Sequence, residues 1–266
     1  MMPKFGNITN PSEEILKEIK TVASMKFDFV EIGVEGPGAT PEIILKNKTK
    51  ILQLVKKFKS RPIVHTSWWF ELGSVYEPVR KGWIDEGKKI IEISRLLGSR
   101  LTNFHATVKG MYFKTESGKK LVISKMSKSL RELTKFGKMH GIDIMLENMT
   151  PGSVSSIEDY SQIMKNVKDL KLHLDVGHAF IGGGIGHVEK YIRKFKKRLV
   201  HIHVSDNHGS DDEHLPLGRA SINYKTVARV LKEISYDKTI TFEVFTPNRE
   251  LARKSMEYFR NLWNKV

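Results

Sequence analysis

The segment LHLDVGHAF, residues 172–180, combines residue types that packing alone does not require. Apolar residues alternate with His173 and Asp175, so a strand here would turn both polar side chains to one face. A glycine follows, and then His178. Burying a carboxylate is costly unless a hydrogen bond or a cation compensates for the lost water. The spacing therefore indicates a site at the end of a strand.

Carboxylates and imidazoles recur at the ends of other strand-like runs. By alternation, Glu147 lies on the opposite face from Leu146, and Glu243 on the opposite face from Phe242. A lone inward carboxylate is explained by hydrogen bonding and a lone histidine by core packing, but several carboxylates in one apolar pocket repel each other unless a cation is present. Imidazole and carboxylate together suit Zn, Mn, Co or Fe, so the set predicts a divalent metal centre. The predicted metal ligands are His65, His105, Glu147, Asp175, His178, His203, Asp212, His214 and Glu243.

The elements that must position these residues alternate along the whole chain. Each strand-like run is followed by an amphipathic helical stretch, which predicts parallel β-α units. The predicted strands are Lys4–Ile8, Phe27–Gly33, Pro62–Ser67, Arg100–Thr107, Ile142–Met149, Leu170–Gly177, Arg198–Asn207 and Lys238–Phe245. Eight such units predict an α/β protein with a single (β/α)8 TIM barrel as one domain over residues 1–266, and a doubly wound open sheet is the alternative. In a barrel the site would lie at the carboxyl ends of the strands.

Composition sets limits on the class of protein. The chain has 266 residues, no cysteine and a formal charge of +15, which excludes disulfides and thiolate ligands. No secretory signal or membrane-spanning run is visible, so we expect a cytoplasmic protein with no membrane partner. The charge fits either a nucleic-acid partner or a solvated lysine-rich surface, and we favour the surface because charge alone defines no site. Such a lysine-rich, cysteine-free chain is also typical of a thermophile, and it does not indicate an oligomeric state.

Four motifs carry a family resemblance. LENM, LDVGHAF, HIHVSDNHGSDDEHLPLG and FEV, in this order, resemble the xylose isomerase-like TIM-barrel superfamily. That group contains sugar-phosphate isomerases and epimerases, and also endonuclease IV within AP endonuclease family 2. The resemblance implies that the epimerase branch would hold one metal on Glu147, Asp175, His203 and Glu243. For endonuclease IV it implies three zinc ions, with further ligands at His65, His105, His178, Asp212 and His214.

Two departures bear on the choice between these branches. The DNA-repair branch has basic loops after its second strand, whereas this chain reads EIGVEGPGATPE there, which favours a small sugar over DNA. LGRASI stands where the family usually has Gly-Glu-Gly, so Arg219 replaces an acid. Arg219 either contacts a substrate phosphate or is a solvated loop residue. Trp68, next to Trp69, either stacks on a sugar or base or packs beneath its loop.

Together these features predict a divalent-metal-dependent isomerase or epimerase acting on a sugar or sugar phosphate. Zn or Mn is the expected metal. Glu147 and Glu243 would transfer the proton, and His178 would bind a substrate oxygen or a second metal. His173 and His201 are expected inside the barrel one layer below the predicted metal ligands, where they would form hydrogen bonds to those ligands. The alternative is a Zn-dependent phosphodiesterase that acts on abasic DNA with up to three ions. A third hypothesis is a ligand-binding barrel without catalysis.

Overall fold

The computed structural model describes residues 1–108, 110 and 114–266. Eight parallel strands pair in chain order, and the eighth pairs with the first, so the sheet closes into a barrel. The strands are β1 (Lys4–Ile8), β2 (Phe29–Val34), β3 (Ile63–Thr66), β4 (Leu101–His105), β5 (Asp143–Glu147), β6 (Lys171–Asp175), β7 (Leu199–Val204) and β8 (Thr239–Phe242). Closure confirms the predicted TIM barrel and excludes the open sheet.

Each strand is followed by one or two helices. They are α1 (Ile15–Ser24), α2 (Pro41–Lys46), α3 (Lys48–Val55), α4 (Glu77–Leu96), α5 (Glu116–Met139), α6 (Ile157–Asn166), α7 (Val176–Phe195), α8 (Tyr224–Glu233) and α9 (Glu250–Lys265). Most strands are shorter than predicted, because flanking residues at one or both ends do not join the ladder, whereas Glu147 and Asp175 remain as the last residues of β5 and β6. Within the described part of the chain, no helix is long and apolar enough to cross a bilayer.

The helices cover the outside of the barrel with apolar stripes. In α8, Tyr224, Val227 and Leu231 recur at helical spacing and are buried, while Asn223 begins the helix by accepting a hydrogen bond from the amide of Thr226. Outward residues of the strands, such as Leu146, belong to the same apolar cluster. Full burial of a large apolar side chain contributes roughly 1.5–3 kcal/mol, so this layer fixes the strand ends that carry the site.

The inside of the barrel changes character along its axis. Near the strand starts, Phe29, Ile63 and Met145 form a small separate apolar cluster. Gly6 makes room for it, because a Cβ at Gly6 would lie 2.2 Å from the ring of Phe29. Toward the carboxyl ends the inward positions become polar, as the change from Met145 to Glu147 on one strand shows. The lower cluster acts as a plug beneath the polar end.

Candidate metal centre

Four side chains from consecutive strands meet at the carboxyl end of the barrel. Glu147 and Asp175 end β5 and β6, His203 lies in β7, and Glu243 directly follows β8. One ligand atom from each lies within 4.8 Å of the others, and all four residues are buried. These are the four residues that the resemblance assigns to a single metal. Packing does not require three carboxylates and one imidazole to converge, whereas together they form a donor set that suits a divalent cation.

Asp175 is held rigidly at the junction of β6 and α7. Its Oδ1 accepts a hydrogen bond of 2.6 Å from the amide of His178, which begins the helix. Asn148 braces its backbone from both sides, at 2.8 and 2.9 Å. Its Oδ2 is buried and accepts no hydrogen bond within the described structure. A buried carboxylate oxygen without a partner is costly, and a bound cation would satisfy it.

The pKa of Asp175 also reflects the cost of burying an ionised carboxylate. Burial is the main cause that raises the pKa of Asp175, to about 6, although the nearby His178 opposes the rise. Neighbouring carboxylates, including Asp212 and Glu147, act in the same direction as burial. A cation in the centre would reverse this balance, because it favours the ionised carboxylate. The donor set therefore fits a divalent metal on chemistry as well as on distance.

Glu147 also belongs to a second group of donors. Its Oε2 accepts a hydrogen bond of 2.6 Å from Asn103 and lies 3.2 Å from Nε2 of His65 and 3.1 Å from Nε2 of His105. Burial raises the pKa of Glu147, but the imidazoles of His173 and His105 outweigh it and hold the pKa well below its usual range. Ligand atoms of His65, His105 and Glu147 also lie within 4.8 Å of one another. A second cation could be held here.

His178, Asp212 and His214 form a third group at the rim. Oδ2 of Asp212 lies 3.0 Å from Nε2 of His178 and 3.0 Å from Nε2 of His214. Nδ1 of His178 donates to the carbonyl of Asn148 at 2.7 Å, because a carbonyl can only accept. Burial opposes protonation of His214, but Glu243 and then Asp212 raise its pKa to about 9. Without a cation, protons on the imidazoles balance the carboxylates.

An open cavity of about 600 Å³ leads to these groups. Seven of the nine predicted ligands line it, and Asp175 and His203 each contact a lining residue. Trp68, Met149 and Phe245 supply apolar surface. Trp68 is 45% exposed and stacks on Trp69 at 4.0 Å between ring centroids. The volume falls in the range of small-molecule sites. A single sugar would fit between the tryptophan and the buried donors.

Arg219 does not join the other predicted site residues. Arg219 is exposed, and it is not among the described residues that line the cavity. Its backbone amide instead donates to Oδ2 of Asp206 at 3.1 Å, beside similar bonds from Gly218 and Ala220. Asp206 therefore fixes the backbone of this loop through these hydrogen bonds, and Arg219 lies on the surface of the loop. No lysine or arginine occurs among the described lining residues.

One buried residue of this region was missed in the sequence. Glu31 falls within the predicted strand Phe27–Gly33 and also begins the acidic segment EIGVEGPGATPE, and it is absent from the predicted ligands. It lies inside β2 and is 0% exposed. In the strand FVEIGV, alternate residues Phe29, Glu31 and Gly33 face the inside of the barrel. The same alternation that identified Glu147 therefore identifies Glu31. The loop itself begins at Glu35, which lines the cavity and accepts a hydrogen bond of 3.0 Å from Ser67.

The two histidines expected one layer lower are both fully buried there. Nε2 of His201 lies 2.9 Å from Oε2 of Glu31, so this histidine bonds to the missed carboxylate rather than to one of the predicted ligands. Nδ1 of His173 lies 3.3 Å from Oε2 of Glu147. The layer under the centre is therefore itself polar.

Comparisons with known proteins agree with this architecture. A solved structure described as a D-tagatose 3-epimerase-like protein is 28% identical, with a TM-score of 0.87 and coverage of 99% of this chain and 98% of that one. An uncharacterized protein of Methanocaldococcus jannaschii is 28% identical over 265 residues, 97% of this chain and 88% of that protein. Fructoselysine 3-epimerase of Shigella flexneri is 23% identical over 195 residues, 70% of this chain and 68% of the epimerase.

The family itself follows from a match over most of the chain. The family model described as "Xylose isomerase-like TIM barrel" matches residues 19–262. This range begins in α1 and ends in α9, and so it contains all nine predicted metal ligands. With the closed barrel and the donors at its carboxyl end, the chain belongs to the xylose isomerase-like TIM barrel family.

Proposed function

We propose that this protein is a divalent-metal-dependent isomerase or epimerase of a small sugar. The observation that carries the proposal is the meeting of Glu147, Asp175, His203 and Glu243 within 4.8 Å beneath an open cavity. The names of two similar proteins, a D-tagatose 3-epimerase-like protein and a fructoselysine 3-epimerase, support the reaction class. The expected cation is Zn²⁺ or Mn²⁺, since both accept mixed imidazole and carboxylate donors.

The cation and the protein have separate tasks in this proposal. When bound, the cation would polarise a substrate carbonyl and an adjacent hydroxyl and stabilise negative charge that develops on oxygen. Asp175 and His203 would hold it without taking part in proton transfer. Asn148 keeps Asp175 in place through two backbone bonds, so the centre is preorganised before the substrate arrives.

Glu147 and Glu243 are the proposed acid–base pair. Glu147 ends β5 and Glu243 directly follows β8, and both belong to the central group of four donors. Burial alone would raise the pKa of Glu243, but His203 and His214 outweigh it and lower the pKa, so its carboxylate is ionised at neutral pH. The pKa of Glu147 is lowered as well. One carboxylate would take the proton from the substrate carbon. The other, which is ionised at rest, would first take up a proton from solvent in the cavity and then deliver it to the opposite face of that carbon.

Substrate contacts are proposed for His178 and Trp68. His178 lies beside Asp175 at the cavity wall, where its imidazole could bind a substrate oxygen. Trp68 offers a ring face at the entrance, which suits the apolar face of a sugar. Among the described lining residues there is no lysine or arginine that could pair with a phosphate. The proposal covers a sugar or a sugar phosphate, and the ketose panel should include both.

A Zn-dependent phosphodiesterase acting on abasic DNA is the second candidate, and one observation favours it. Two further donor groups adjoin the central one: His65 and His105 on one side, and Asp212 with His214 on the other. Clustered metals can generate hydroxide and stabilise both oxygens of a displacement at phosphorus. Retention of about three ions per chain would favour this reaction, because an isomerase needs one.

The experiment combines metal counting with two activity assays. The purified chain is dialysed, its metal content is measured by mass spectrometry, and the same preparation is tested on a panel of ketoses in D₂O and on abasic duplex DNA. The proposal expects about one tightly held ion, deuterium incorporation next to the ketose carbonyl, and no nicking. Nicking at abasic sites with about three retained ions would replace the proposal by the second candidate.

A further inference from the structure

Glu31 is a buried carboxylate that the proposed reaction does not use. It lies in β2, pairs in register with Ile63 of β3, and is fully buried beneath the central donors. Taking an ionised carboxylate out of water is expensive unless other groups compensate. An apolar residue would fill the same position at lower cost, as Phe29 does two residues earlier on the same strand. The position of Glu31 therefore calls for a role toward its neighbours.

Three donors converge on one oxygen of Glu31. Its Oε2 accepts from Thr241 at 2.5 Å and lies 2.9 Å from Nε2 of His201 and 3.0 Å from Nε2 of His203. A carboxylate oxygen with these neighbours can only accept, so both imidazoles present an N–H to it. For His203 this means that the proton is on Nε2.

The other nitrogen of His203 points to the metal centre. Its Nδ1 lies 2.9 Å from Oε2 of Glu243, which belongs to the central group of four donors. The imidazole therefore bridges two carboxylates of different function, one buried below and one open to the cavity. In the metal-free site Nδ1 likewise presents an N–H to the carboxylate of Glu243. When a cation replaces that proton, the N–H that remains is the one on Nε2, which Glu31 accepts on the side away from the centre.

We propose that Glu31 is a positioning residue for the metal centre: it fixes His203 with Nε2–H directed downward so that Nδ1 presents its lone pair to the cation. The inference rests on the proposed function, because it assumes that His203 is a ligand. Carboxylates that accept the distal N–H of a ligating histidine orient the ring and increase its basicity. Glu31 itself stays outside the four central donors.

The test compares a variant that changes the buried carboxylate of Glu31 with a variant that removes one of its other hydrogen-bond donors. Glu31→Gln keeps the size of the side chain and removes its charge. Thr241→Val is the matched control, because it removes a different hydrogen bond to the same oxygen and leaves the contact with His203 intact. Both are stripped with chelator, checked for a folded state by circular dichroism, and titrated with Zn²⁺ and with Mn²⁺ by calorimetry.

The expected result is a Kd for the cation about 10–100 times higher in Glu31→Gln, with Thr241→Val within about twofold of the natural chain. An unchanged Kd in folded Glu31→Gln would overturn the inference and leave the proposed function standing. If the natural chain bound no divalent cation at all, the proposed function would fail instead. The two failures are therefore separable.

A second measurement needs no variant and covers the case in which Glu31→Gln does not fold. Long-range ¹H–¹⁵N spectra of the Zn²⁺-loaded natural chain report which nitrogen of each histidine carries a proton. For His203 we expect a protonated Nε2 and a metal-bound Nδ1. A His203 ring with its proton on Nδ1 would overturn the inference, whatever the affinity of the site.

Discussion

The two ends of the barrel interior use the same strands for different purposes. On β5, Met145 and Glu147 both point inward, two residues apart. Met145 joins Phe29 and Ile63 in an apolar plug, whereas Glu147 contacts His65, His105 and Asn103. In this fold, inward residues near the strand starts stabilise, and those at the strand ends carry chemistry. On β5, the inward residue near the strand start therefore contributes to stability, and the next inward residue belongs to the site.

The outer rims differ in charge as well. Exposed lysines stand in the loops that enter the strands, such as Lys26 before β2, Lys57 before β3 and Lys197 before β7. At the opposite rim the cavity is lined by Glu35 and Asp212 and by no described lysine or arginine. The formal charge of +15 is therefore not a property of the cavity. Net charge describes the surface of this molecule and not its site.

The largest effect should come from the two proposed proton-transfer groups. Glu147→Gln and Glu243→Gln each keep an oxygen that can bind the cation and remove the base, so turnover should fall about 10²–10⁴-fold. Cation affinity should fall much less. Deuterium incorporation into an active ketose and calorimetric titration with Mn²⁺ measure the two quantities. Exchange that persists in both variants would mean that another group moves the proton.

The apolar plug provides the opposite case. Met145→Ala removes a fully buried side chain and should lower the free energy of unfolding by about 2–5 kcal/mol, because the barrel wall cannot collapse into the gap. The Kd for the cation should stay within about twofold of the natural value. Urea unfolding and titration of the folded variant measure both. Strongly weakened cation binding in Met145→Ala would show that the two ends are not independent.

Asp175 should show that the metal-free site is itself unfavourable. Its pKa of about 6 exceeds that of an unfolded aspartate, so the folded state binds the proton more tightly and stability falls as pH rises from about 4 to about 6. Asp175→Asn should therefore stabilise the chelator-treated chain at pH 7, by on the order of 1 kcal/mol or more, and have little effect at pH 4. Asparagine still caps α7.

Urea unfolding at both pH values, with chelator present, tests this directly. The difference between the variant and the natural chain cancels the titration of the other groups to a first approximation. A variant that is less stable than the natural chain at pH 7 would contradict the interpretation, and it would mean that Asp175 is stabilised by partners other than a cation.

The smallest effect concerns nucleic acid. Binding to duplex DNA should be weak and should fall steeply with added salt, because it would depend on surface lysines and counterion release. Replacing exposed Lys196 and Lys197 by glutamine should weaken it slightly, and Glu35→Gln at the cavity should not change it. Fluorescence anisotropy over a range of salt concentrations measures both. Tight binding selective for abasic sites at physiological salt would instead favour the phosphodiesterase.

Sequence reasoning predicted the barrel because eight alternating units leave few parallel arrangements, and the alternation within β5, β6 and β8 identified Glu147, Asp175 and Glu243. It missed Glu31, although FVEIGV shows the same alternation, because the acidic residues after it suggested a loop. It also left Arg219 open between a contact with a substrate phosphate and a solvated position in its loop. The direction of a loop side chain depends on tertiary contacts, here the backbone bonds to Asp206, which the sequence pattern does not encode.

The proposed function requires one divalent cation between Glu147, Asp175, His203 and Glu243. Its position can be measured in crystals of the chain soaked in Zn²⁺, with data collected at the zinc absorption edge. We expect an anomalous peak about 2.0–2.2 Å from a ligand atom of each of the four residues, with Nδ1 as the ligand atom of His203. Strong peaks elsewhere with none among these four side chains would show that the cation does not bind there.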